Sequence, residues 1–128
     1  MENEPLKKLL VKTEDLNKEL LTKTLQPLLQ IEEKTGRIQW TEIGNKLDIK
    51  KKIIASLLAK KASLILGLIE KETIDYKELA RMISAKQVSV ASQLTTLGKE
   101  YIVLKDSKEY FIPLEAVTKA IQLLKINE

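Results

Sequence analysis

Apolar residues recur along the chain in two blocks that can be laid over one another. A shift of 36 positions places Trp40–Leu58 on Tyr76–Leu94 without a gap. Glu42/Glu78, Lys50/Lys86, Ala55/Ala91, Ser56/Ser92 and Leu58/Leu94 are identical. Ile38/Ile74, Trp40/Tyr76, Ile43/Leu79, Leu47/Ile83, Ile54/Val90 and Leu66/Ile102 keep apolar character. Apolar positions are the ones a packed unit must keep, so the match points to a repeated structural unit.

The second block predicts a helix over Leu64–Lys71, an extended link at Thr73–Asp75 and a helix over Tyr76–Ile83. Leu79, Ala80 and Ile83 fall on one face of that helix. Ser84 and Ala85 interrupt the pattern. A third helix follows over Lys86–Leu97, with Val90, Ala91, Leu94 and Leu97 inward and Gly98 as its stop. Tyr101–Leu104 and Glu109–Ile112 are β-prone runs around a polar turn, Lys105–Lys108. Pro113 closes the second run, and Leu114–Ile126 is amphipathic on Val117, Ile121 and Leu124.

The first block predicts the same order. Leu25–Lys34 is its first helix, with Pro27 near the start and Gly36 at the end. Arg37–Gln39 is the link, Thr41 is an N-cap for a helix over Glu42–Leu47, and Lys50–Lys61 is the third helix. No hairpin follows: either this unit's wing is reduced, or the third helix runs on into Leu64–Lys71. Upstream, Leu9, Leu16 and Leu20 stand near heptad spacing in Leu6–Thr24. That segment predicts a helix covering the first unit, with a coiled-coil dimer seam as the alternative. The expected boundaries are 1–24 for this segment, 25–63 and 64–113 for the two units, and 114–128 for the last helix. Trp40 and Tyr76 stand at equivalent positions and are expected to pack in the two cores.

Composition removes most chemistry. The 128 residues are 44% hydrophobic and 31% charged, the balance of a folded chain. There is no Cys and no His. Disulfides, thiolate metal sites, imidazole bases and Ser-His-Asp triads are thereby excluded. The four Asp, at 15, 48, 75 and 106, are scattered. A non-enzymatic protein without metal or cofactor is expected. No apolar run approaches the ~18 residues of a membrane span. The acidic start, Met1–Pro5, does not read as a signal peptide, so a cytoplasmic setting is expected.

Net charge is +4, and 20 of the 22 cations are lysine, the exceptions being Arg37 and Arg81. Abundant Lys, Glu and Ile without Cys is the bias of hyperthermophile proteins. Residues 37–63 hold seven cations and two anions, whereas residues 73–112 hold six and five. The basic character thus concentrates in the first block. Lys50, Lys51 and Lys52 sit at the start of a helix, where cations oppose the dipole. A phosphate backbone would compensate them; a solvated lysine face is the plainer reading. Thr35–Gly36–Arg37 lacks the glycine spacing and lysine of a phosphate loop.

Glu78–Val103 resembles the helix-turn-helix of winged-helix proteins: the acidic-Leu-Ala triplet Glu78–Ala80, the buried β-branched Val90, and the pair Leu94 and Leu97 before the wing. Thr41–Leu58 is similar, although Lys61 stands where Leu97 stands in the second copy. The resemblance covers about Leu25–Leu114. It implies a mostly α fold with a small β-hairpin wing, built as tandem winged-helix or helix-turn-helix units of an archaeal type. It also implies double-stranded DNA as partner, in transcription or chromosome maintenance at the nucleoid. Such domains also serve as protein-docking modules, which is the alternative. The expected nucleic-acid contacts are Lys46, Lys50, Lys51, Lys52 and Lys60 in the first unit. In the second they are Lys86, Gln87, Ser89 and Gln93, with Lys105 and Lys108 on the wing. Glutamine can pair bidentately with adenine, so the second unit is expected to set selectivity and the first affinity. A Lys50–Lys61 surface that is contiguous and exposed favours nucleic acid, and one that is covered favours docking. A homodimer, if formed, is expected through the terminal helices and their spare apolar residues Leu10, Leu21, Leu123 and Ile126.

Overall fold

Pro27 decides how the chain begins. A helix, α1 (Thr13–Leu25), ends two residues before it, because the residue ahead of a proline is pushed out of the helical region. The computed structural model describes residues 13–125, with side chains described from Lys18 to Leu124. The expected helical start at Leu6–Lys12 and the dimer residues Leu10 and Ile126 lie outside the described residues, as does the Leu16 side chain.

After Pro27 the chain turns into a hairpin rather than the helix expected over Leu25–Lys34. Strand β1 (Leu29–Ile31) pairs antiparallel with β2 (Ile38–Trp40), Leu29 opposite Trp40 and Ile31 opposite Ile38. The reason lies in the connecting turn. Glu32 Oε2 accepts from the Lys34 and Thr35 amides, at 2.9 and 2.7 Å, and from Thr35 Oγ1 at 2.8 Å. Gly36 adopts φ 72°, so it is the left-handed residue of the loop and not a helix stop.

Thr41 caps α2 (Glu42–Asn45), its Oγ1 accepting from Gly44 N at 3.1 Å. Helix α2 stops short of the expected Leu47. Asp48 then caps α3 (Ile49–Ile65), accepting from Lys51 N at 2.8 Å. Helix α3 is longer than expected at both ends and is buried without interruption from Ile53 to Ala59. It packs against α1 and against three later helices, α4 (Tyr76–Ile83), α5 (Gln87–Lys99) and α6 (Val117–Lys125). The expected boundary between residues 63 and 64 falls inside its last turn. Leu68 N reaches back to Ser63 O at 2.9 Å while Gly67 takes φ 77°, a left-handed helix stop. No helix spans Leu64–Lys71: the α3 end uses its first two residues, and the rest forms turns and coil.

The remainder follows expectation closely. Strand β3 (Ile74–Asp75) leads into α4, capped by Asp75, which accepts from Glu78 N at 2.8 Å. Ser84 breaks α4 from α5 in the left-handed conformation. Helix α5 runs through Gly98, and the reversal falls instead on Tyr101, at φ 61°. Residues 100–103 close that end, with Ile102 N on Leu97 O at 3.1 Å, so β4 begins at Leu104 and not at Tyr101. Strands β4 (Leu104–Asp106) and β5 (Glu109–Phe111) form a hairpin, and β3 adds to β5 to give the order β3-β5-β4. After Pro113 a single 3-10 turn (Leu114–Ala116) feeds α6, whose Val117, Ala120 and Ile121 are buried and which packs on α1.

The result is mostly helical, with two small antiparallel sheets and one continuous core that joins both blocks. Ile54, Leu58, Val90 and Leu94 are all buried in it, as the inward positions of the pattern require. Leu21 belongs to it too, so it is not a spare contact for a dimer, and Leu123 packs against it.

Candidate nucleic-acid interface

Of the three lysines that begin α3, Lys50 is paired, and Lys51 and Lys52 have no carboxylate within 4.0 Å among the described residues. Lys50 Nζ lies 3.1 Å from Glu100 Oε1, and both side chains are about one third exposed. Lys51 and Lys52 are half-buried. The dipole problem is met internally, by the Asp48 cap. Lys46 pairs loosely with Glu42 at 3.7 Å. Lys60 is half-buried, and Lys61 is buried with its Nζ 2.8 and 2.9 Å from the two Glu72 oxygens. The Lys50–Lys61 surface is therefore interrupted and only partly exposed, the outcome that favours docking over nucleic acid for this helix.

Helix α5 presents a different surface. Lys86 is its N-cap residue and makes no side-chain cap. Lys86, Gln87 and Val88 are consecutive and exposed, Val88 to 81%. Val90, Leu94 and Leu97 hold the inner face. Ser92, Thr95 and Thr96 are exposed on the outer one, and Ser89 and Gln93 are half-buried at its edges. Thr95 and Thr96 donate to carbonyls one turn back, at 3.0 and 3.3 Å, which leaves Gln87 and Ser92 as the freest polar groups. On the following hairpin Lys105 and Lys108 are exposed, and Lys105 Nζ stands 5.7 Å from the Tyr110 ring centroid, within reach of a weak cation–π attraction.

The carboxylates of this region are engaged elsewhere. Asp75 caps α4, and Glu100 pairs with Lys50. Glu109 accepts from Thr73 Oγ1 at 2.7 Å and from Lys71 Nζ at 3.1 Å. The Thr73 hydrogen bond and then Lys71 hold its carboxyl below the ordinary value. Among the described residues, Lys77, Arg81, Lys86, Lys99, Lys105 and Lys108 have no carboxylate within 4.0 Å. Only Glu78 and Asp106 remain without such a role. The near-neutral balance counted along residues 73–112 thus hides an uncompensated basic surface, while in residues 37–63 Lys46, Lys50 and Lys61 are paired and Arg37, Lys51, Lys52 and Lys60 have no carboxylate within 4.0 Å among the described residues.

Trp40 packs against the core, and its Nε1 donates to Met82 O at 3.2 Å. Tyr76 is likewise half-buried against the core, so both aromatics pack. Two clefts are lined almost entirely by other residues, Lys60 being the one expected nucleic-acid contact among them. An apolar groove of about 390 Å³ runs between α1, β1 and the end of α3. A polar cleft of about 630 Å³ gathers Arg37, Lys60, Glu78 and Arg81. No helix among the described residues is long and apolar enough to cross a membrane, and none of their acidic side chains cluster as a metal site would require. Searches against protein-family models, curated proteins and solved structures return no match to the chain.

Proposed function

We propose that this chain is a non-enzymatic, winged-helix-like protein that binds double-stranded DNA through α5 and the β4–β5 hairpin. The order α3, β3, α4, α5, β4–β5, with β3 added to the hairpin, agrees with the winged-helix resemblance. The tandem reading takes a reduced form: β2–α2–α3 matches β3–α4–α5 through the 36-residue shift, and α3 serves both units. One observation carries the functional reading. Lys86–Gln87–Val88 stand exposed at an uncapped helix start, in a region whose cations lack internal partners. Phosphates satisfy free helix-terminal amides and lysines together, and an exposed valine can meet a thymine methyl while Gln87 reaches a base edge.

Affinity and selectivity then both belong to the second unit. Binding of a mixed-sequence duplex at two salt concentrations tests this. Exchanging Lys86, Lys105 and Lys108 for Glu should weaken binding to every duplex and flatten the salt slope by about 0.9 for each phosphate no longer neutralised. The same exchange at Lys50, Lys51 and Lys52 should weaken it less. Gln87→Ala should spare random-sequence binding and erode any preferred site by ~1–3 kcal/mol. Val88 also favours a second reading, protein docking through the same face. Absence of duplex binding at low salt selects that reading.

A further inference from the structure

The chain uses lysine for 20 of its 22 cations, yet its two arginines, Arg37 and Arg81, line one cleft. They come from different elements. Arg37 leads into β2 from the hairpin turn, and Arg81 lies on the outer side of α4. Half-buried Lys60 joins them from α3. We propose that this cleft binds a small organic polyphosphate of nucleotide size.

Three features support it. The first is charge. Three cations face one carboxylate, Glu78, and none of the three has a carboxylate within 4.0 Å among the described residues. Glu32, on the same hairpin, is held mainly by the Lys34 and Thr35 donors of the turn and feels the Arg37 charge as the smallest of its influences, and neither it nor Glu33 lines the cleft. A ligand with more than one negative charge completes the balance.

The second feature is donor geometry. Guanidinium forks bind phosphate oxygens in pairs, which a lysine cannot do, and arginine is selected where that pairing matters. The third is construction. The turn that positions Arg37 is fixed by its own hydrogen bonds, with Glu32 N on Arg37 O at 2.8 Å and Gly36 N on Glu32 O at 2.8 Å. A Cβ at Gly36 would come 3.1 Å from Ile69 Cγ2, so the turn is seated against the protein. Met82, on the α4 side of the cleft, is anchored through its carbonyl to Trp40 Nε1. The volume, about 630 Å³, is that of a small-molecule site. Glu78 is placed to accept from a hydroxyl or amino group on the organic part of the ligand.

The site uses none of the α5 residues, so it stands whether or not duplex binding is found. Calorimetric titrations at constant ionic strength with pyrophosphate, ATP and adenosine test it. Pyrophosphate and ATP should bind saturably and adenosine should not. Arg37→Gln with Arg81→Gln should lower the affinity at least about tenfold, and Lys at both positions should also lower it, since the charge stays but the fork is lost. Glu78→Gln should raise pyrophosphate affinity. Both arginines are exposed, so the melting curve should persist in every variant. No saturable pyrophosphate binding by the unmodified chain overturns the proposal, as does equal binding by the double-glutamine or the double-lysine variant. Loss of duplex binding in the double-glutamine variant, with pyrophosphate unbound by the parent, overturns it in favour of a nucleic-acid backbone as the ligand of this cleft.

Discussion

The two blocks related by the 36-residue shift share a sequence pattern but occupy different environments. Ile54 and Leu58 are as buried in α3 as Val90 and Leu94 are in α5. At other matched positions the copies part. Ile43 is 60% exposed and its partner Leu79 is buried; Leu66 is 67% exposed and its partner Ile102 is buried. Asp48 is extended and caps α3, whereas Ser84, at the matching place, is left-handed. Lys50 is tied to Glu100, whereas Lys86 is free at a helix start. The lesson is one of position. Helix α3 is packed against four other helices, so the outer face that a recognition helix needs is covered. Helix α5 packs through one face and keeps the other.

The largest effect should come from making α3 more like α5. Lys61 stands where α5 has Leu97, and it is buried on Glu72. Lys61→Leu should cost about 3–5 kcal/mol, because it leaves a carboxylate with little water and no partner. The double exchange Lys61→Leu with Glu72→Leu should return to within about 1 kcal/mol of the parent or exceed it. Urea unfolding measures both, and a double variant as weak as the single would break the equivalence of the two positions.

Core truncation comes next. Leu58→Ala and Leu94→Ala should each cost ~2–5 kcal/mol. A loss below about 0.5 kcal/mol at either, small against that range, would mean that the register shared by the two helices is wrong.

Gly44 and Ala80 are also matched, and here the copies should respond in opposite ways. A Cβ at Gly44 would overlap the Leu28 carbonyl and come 3.0 Å from Trp40 Cε3. That carbonyl already accepts from Thr41 N, so it cannot easily yield. Gly44→Ala should destabilise by about 1–3 kcal/mol through overpacking. Ala80→Gly should cost about 1 kcal/mol from helix propensity, plus the methyl it removes from the core. A neutral Gly44→Ala in a thermal melt would show that the β1–β2 hairpin is not seated on α2.

The smallest expected contrast is between the two hairpins. Hydrogen bonds from Thr35 and then from the Lys34 amide, with a smaller attraction from the Arg37 charge, hold the Glu32 carboxyl below its ordinary value, as Thr73 and Lys71 do for Glu109. A carboxylate whose pKa is lowered on folding contributes its stability above its unfolded value. It loses that stability as pH falls through the folded one. Both contributions should therefore be intact at neutral pH and fade on the acid side of the ordinary glutamate range. Thr35→Val and Thr73→Val should each flatten that acid slope without altering the neutral-to-alkaline profile. An unchanged acid limb would mean that the hydroxyls do not hold the carboxylates.

The region from Ile74 to Lys125 is legible in the sequence because its signals are local: an extended link, a period of inward residues, a polar turn, a proline stop. The β1–β2 hairpin is not, because Leu28–Ile31 fits a helical or an extended period equally, and the turn chemistry of Glu32 shows only once Thr35 is seen against it. The length of α3 follows from the lack of any breaker before Gly67. Charge misleads for a different reason. The partners of Lys50 and Glu109 lie in other elements, so a count along the chain cannot tell a spent lysine from a free one. The meeting of Arg37 and Arg81 is equally hidden, since the 36-residue shift does not relate them. The scarcity of arginine is the one available hint.

The packing of α1 on α6 has a kinetic side. It joins the two ends of the described chain, so forming it closes a loop of roughly 90 residues, an entropic cost that grows only slowly with loop length. The contacts of α4 with α5 and of β4 with β5 are short-range and can form earlier. Clasping the terminal helices over α3 should therefore come late in folding, and truncations within α1 or α6 should quicken unfolding far more than they slow refolding.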